Sequence, residues 1–160
     1  MKSLTSTLFP IIFVLLPILS ISITGRIYPV KAFSHRPIFQ PPNWVFGIIW
    51  TYITLSLGIV SYSYYRNFSY SVNKFSLLFM YLLIIFMLNL WLIINHYKKY
   101  GYGFSILVTT CYISVIYLLF LSINSSKSHS GKIVYLLPLV FWLVLASCLN
   151  GVIYDYADNQ

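Results

Sequence analysis

Five long apolar stretches, approximately 4–24, 44–65, 75–97, 102–124 and 133–154, carry no Lys, Arg, Asp or Glu near their centres. A helix rises about 1.5 Å per residue, so about 20 such residues cross the hydrocarbon of a bilayer. The backbone of a spanning segment must satisfy its own hydrogen bonds, which helices do within one segment. The pattern predicts an all-α membrane protein, a single domain over 1–160 built as a five-transmembrane-helix bundle. Composition agrees, since 59% of the 160 residues are hydrophobic and only 8% charged, too little polar surface for a water-soluble domain.

The connectors are short except for the first, residues 25–43, which holds Pro29, Pro37, Pro41 and Pro42. Proline removes a helical donor, so this stretch reads as a structured loop at one mouth of the bundle. The first apolar stretch has an alternative reading as a cleaved secretory signal, because Lys2 precedes it and small residues close it. Its length favours a span, and its internal Pro10 and Pro17 are tolerated in a membrane helix packed by neighbours.

The formal charge of +8 does not point to nucleic acid, because the basic residues are dispersed between apolar runs and serve as membrane-edge anchors. Lys2, Arg66, Lys74, Lys127 and Lys132 fall on one side, and Arg26, Lys31, Arg36, Lys98 and Lys99 on the other. Five against five leaves the orientation open. The two acids, Asp155 and Asp158, lie at the end of the chain, so the spans hold no carboxylate for acid-base catalysis or proton-coupled transport. His35, His96, Asp155 and Asp158 share one membrane face but read as interfacial side chains, and no metal set is expected. Cys111 and Cys148 sit in apolar runs as small hydrophobes, outside any disulfide.

Gly47, Thr51, Thr54, Gly58 and Ser61 recur at spacings of four, three, four and three, a small-residue stripe that predicts one close helix interface along the second span. Trp50 flanks the stripe and is expected to point inward, whereas Trp44 suits the interfacial belt. Intramembrane Ser and Thr are expected to bond back to helix carbonyls. Asn89 and Asn150 need interior partners, either another helix or a ligand. Trp142, Ala146, Asn150 and Ile153 share one face of the fifth span, and the small Ala146 beside a bulky ring leaves a recess.

The run Arg36-Pro37-Ile38-Phe39-Gln40-Pro41-Pro42-Asn43-Trp44-Val45-Phe46-Gly47-Ile48-Ile49-Trp50-Thr51 resembles the K-P-x-[FW]-x-P-P-x-W-V-F-x-P-V-W-T signature of the translocator protein family, also called tryptophan-rich sensory proteins, TspO/MBR. Leu88-Asn89, Pro138-Leu139-Val140-Phe141-Trp142 and Leu149-Asn150 extend the likeness in order. The resemblance implies a bundle, often a homodimer, with a pocket for porphyrin or haem, sterols such as cholesterol and synthetic aromatic ligands. It assigns pocket positions to Phe46, Ile49, Trp50, Asn89, Trp142, Ala146 and Leu149. Phe104 stands where many relatives carry tryptophan, and Cys111 is expected to line the same pocket.

There are departures. Val30-Lys31 replaces a Trp-Tyr pair of the first loop, and Ile48 a proline. Trp91 comes one place early after Asn89, so it is not expected to supply the usual ring. Met80 and Ile84 occupy the places of glycines that pack dimeric relatives. Gly151 interrupts the proposed cholesterol motif, which makes sterol the weaker ligand expectation.

The expected function is binding of an apolar planar ligand, protoporphyrin IX or haem, within the bundle by a receptor- or translocator-like protein that needs no resident cofactor. Asn89 would orient a polar edge, and Arg26, Lys31 or Arg36 would attract propionates. The alternatives are light-dependent porphyrin degradation using Trp50 and Trp142, or a transporter or regulatory scaffold. The location is a multi-pass membrane position surrounded by lipid: the mitochondrial outer membrane or another organelle membrane in a eukaryote, the cell envelope in a bacterium.

Overall fold

In a computed structural model that describes residues 4–30, 37–125 and 130–158, the apolar runs form five helices. They are α1 (Leu4–Ile27), α2 (Asn43–Asn67), α3 (Ser71–His96), α4 (Tyr100–Ile123) and α5 (Leu137–Asp158), with a 3-10 helix at Ser130–Leu136 before the last. All five are long and apolar enough to cross a membrane. Lys31, His35 and Arg36 of the first loop lie outside the described residues.

Prolines and turns explain the boundaries. Pro42 precedes α2 in an extended conformation, φ −54° and ψ 148°. The fifth span opens as a 3-10 helix and becomes α-helical only at Leu137, where Pro138 sits in the first turn and needs no helical donor. Lys98 takes a left-handed φ of 56° and closes α3, its N–H meeting the carbonyl of Asn95 at 3.0 Å.

The packing order around the bundle is α1, α2, α5, α4, α3. Neighbours in this ring are antiparallel except α1 and α3, which run parallel, Phe13 facing Tyr81 and Ser20 facing Asn89. The backbones of α4 and α5, of α3 and α4, and of α1 and α2 lie in extensive close contact, whereas α2 and α5 approach each other sparsely. At one end of the α1–α2 seam Phe13 meets Tyr62 and Tyr65 at ring separations of 5.8 and 5.5 Å.

Pro17 cannot donate to the carbonyl four residues earlier, that of Phe13. The Tyr81 hydroxyl of α3 donates to that oxygen, and its ring stacks on Phe13 at 4.7 Å and 14°. The buried hydroxyl and the freed carbonyl thus satisfy each other across two helices.

The small-residue stripe of α2 divides. Thr54, Gly58 and Ser61 are buried, while Gly47 and Thr51 are exposed. At Gly58 a Cβ would collide with the Val14 backbone, yet Gly47 has open space around it. The expected continuous interface is therefore confined to the half of α2 that lies against α1. Thr51, Thr54, Thr110 and Ser147 do bond back to carbonyls four residues earlier. Ile84 is wholly buried in the core of this one chain.

Candidate functional site

Aromatic rings face one another across the sparse contact between α2 and α5. Phe46 and Trp50 project from α2, four residues apart and thus on one helical face. Trp142 projects from α5 and meets Phe46 edge-on at 5.1 Å and Trp50 edge-on at 6.4 Å. Trp91 of α3 completes the group, stacked on Trp50 at 5.9 Å and 26°. Three of the four indoles of the chain thus converge, and Trp44, 68% exposed, stands apart at the start of α2. Such offset and edge-to-face arrangements are favourable beyond the area they bury.

Trp91 corrects the sequence expectation. Tyr81, Ile84, Leu88, Trp91 and Asn95 alternate spacings of three and four and face inward together. Asn89 lies off that line, on the face toward α1. Counting from Asn89 therefore misplaces the ring, whereas counting from Leu88 finds it.

Asn89 is partly buried, and its carboxamide is committed to α1. Its Nδ2 donates to Ser20 Oγ at 2.8 Å and to the Ile85 carbonyl at 2.7 Å, while Oδ1 accepts from Thr24. Asn150 is buried on α5: its Oδ1 accepts a long 3.4 Å bond from Trp91 Nε1, and its Nδ2 donates to the Ala146 carbonyl at 3.1 Å. Asn95 packs beside it and donates to the Trp91 carbonyl at 2.9 Å. Gly103 makes room for this amide pair, since a Cβ there would meet Asn95 Nδ2 at 2.7 Å and Asn150 Oδ1 at 3.3 Å. The Trp91 ring is accordingly fixed by Trp50 on its face and Asn150 on its edge.

Ala146 and Leu149 are buried, and Ile49 and Cys111 are half-buried against the core. Phe104 stands away from the indoles. It packs on Gly151 and lines a cleft of about 600 Å³ with Lys98, Lys99 and Tyr154 at the α3–α4 end. His96 is engaged by the Pro29 carbonyl at 2.9 Å and by the Tyr28 ring. Among the described residues no cluster of three or more His, Cys, Asp or Glu side chains is placed to hold a metal. Cys111 and Cys148 are free thiols.

Four buried side-chain polar atoms have no hydrogen-bond partner among the described residues, Gln40 Oε1, Asn95 Oδ1, Ser114 Oγ and Trp142 Nε1, and the last belongs to the indole cluster. An unmade bond of this kind costs about 1–3 kcal/mol, which an incoming acceptor would recover.

Five membrane-length helices around a tryptophan cluster define a multi-pass integral membrane protein with an aromatic interior site. The TspO/MBR family model matches residues 8–155, and the chain belongs to that family. It is similar to the tryptophan-rich protein TspO of Archaeoglobus fulgidus, 29% identical over 147 residues that cover 88% of this chain and 92% of the relative.

Proposed function

We infer that the protein binds a planar aromatic ligand of the tetrapyrrole class, protoporphyrin IX or haem, among Trp50, Trp91 and Trp142. The observation that carries this reading is the buried Trp142 N–H without an acceptor, set among ring faces. A conjugated ligand bearing a polar acceptor supplies both the stacking surface and the missing bond. Arg26, exposed at the end of α1, is available to an anionic ligand edge at the mouth. A sterol offers no conjugated face to the indoles and fits less well. The half-buried Ile49 and Cys111 and the buried Ala146 and Leu149 form the apolar surround, and Asn89 acts from outside by fixing α1. The role that follows is a receptor or translocator for such ligands.

A second reading, light-dependent porphyrin degradation, draws on the contiguity of the three indoles, which would carry an electron or radical away from Trp50 or Trp142.

Titration with protoporphyrin IX, followed by quenching of tryptophan emission, tests binding. The Trp50→Ala/Trp142→Ala variant should lose about tenfold or more in affinity while keeping its helical signal, a loss in line with two stacking contacts. Unchanged affinity in the folded variant refutes the site. Absorbance of the illuminated complex separates the two readings: bleaching at the same rate without the protein rejects catalysis.

A further inference from the structure

The end of the bundle remote from the α5 terminus is basic without compensation. The chain's two acids, Asp155 and Asp158, both lie at the opposite end, where α5 finishes. The described cations here settle for neutral partners. Lys74 rests over the Tyr65 ring at 5.7 Å, and Lys132 Nζ donates to Ser63 Oγ at 2.7 Å. Arg66, in the last turn of α2, is exposed and has no carboxylate on its side of the membrane.

Arg66 and Lys132 are also joined by shape. They line one cleft of about 520 Å³ between α2 and the 3-10 helix that leads into α5. Ser63 holds the ammonium of Lys132 at the wall, and Asn67 and Tyr135 add polar groups near the mouth. The apolar Ile59, 55% exposed, continues the wall down α2 toward the hydrocarbon. A basic mouth, an interfacial tyrosine and an apolar floor running into the bilayer match a molecule with an anionic phosphate head and acyl chains.

We propose that this cleft is a binding site for an anionic phospholipid, whose phosphate lies between Arg66 and Lys132 and whose acyl chain follows α2 past Ile59. The lipid headgroup supplies the counter-charge that the chain lacks at this end. A basic residue at an anionic membrane surface contributes about fivefold in affinity, so the pair contributes about 25-fold.

The test uses the full chain purified in detergent, with lipid retention read by native mass spectrometry and thermal stability read in parallel. Phosphatidylglycerol should be retained and stabilising where phosphatidylcholine of the same chain length is not, a comparison that needs no variant. R66Q/K132Q should lower phosphatidylglycerol affinity by about 25-fold. K98Q/K99Q removes the same charge from the opposite end and should leave that affinity within about twofold. Equal retention of the two lipids overturns the proposal, as does an equal loss in both variants, which would mark diffuse attraction to basic ends. Stabilisation by inorganic phosphate alone to the same extent as by phosphatidylglycerol overturns the lipid as occupant.

Discussion

The Tyr81 hydroxyl donates to the Phe13 carbonyl, the acceptor that Pro17 leaves without a helical N–H. A proline inside a span thereby creates the attachment point for a second helix. Tyr81→Phe should destabilise the protein by about 1–3 kcal/mol, because the carbonyl is then unsatisfied. Pro17→Ala restores a helical donor to that carbonyl, so in its background Tyr81→Phe should cost less than half as much. Unfolding of the four proteins in mixed detergent measures the cycle; equal costs in both backgrounds would show that the two residues are not coupled.

Gly58 and Gly47 occupy one helix and should respond oppositely to alanine. At Gly58 the new Cβ meets the Val14 backbone, which cannot rotate aside, so α1 must separate from α2. A loss of about 2–4 kcal/mol is expected, as for overpacking or a partly lost interface. Gly47→Ala meets nothing and should gain about 0.5–1 kcal/mol from helix propensity. Paired melting curves decide the matter.

Asn89→Ala should separate stability from binding. The substitution deprives the Ser20 and Thr24 hydroxyls of α1 of their partner on α3, for an expected cost of about 1–2 kcal/mol. Protoporphyrin affinity at a temperature where the variant is folded should change by less than about threefold, under 1 kcal/mol. A tenfold affinity loss with unchanged stability would place the carboxamide against the ligand instead.

Lys98 is a non-glycine residue at φ 56°, in the tight connector between α3 and α4. Lys98→Gly relieves that strain and should raise stability by about 1 kcal/mol. A lower melting temperature would mean that the lysine side chain contributes more than its backbone costs.

The five spans were legible because length and lack of charge are local properties, and the bilayer leaves few alternatives to them. The inward direction of Trp50 and Trp142 was legible for a similar reason, since helical spacing ties each to neighbours of known character. Contacts that depend on which helix stands opposite were not. Gly47 and Gly58 look equivalent in the stripe, and only the position of α1 separates them. The α1 hydroxyls that occupy Asn89 lie more than sixty residues away in the chain. Trp91 lay within reach of pattern reasoning, because it keeps register with Leu88 and Ile84, but the family motif drew attention to Asn89.

The indole cluster also fixes where light acts on this molecule. Trp50, Trp91 and Trp142 have ring centres 5.9 and 6.4 Å apart along the chain of contacts, close enough to share an electronic excitation. Ultraviolet energy captured by any of them is pooled at one place in the bundle, with Trp44 at the membrane edge as a separate emitter. A planar guest bound as proposed above would lie against this antenna and be the first recipient of what it collects.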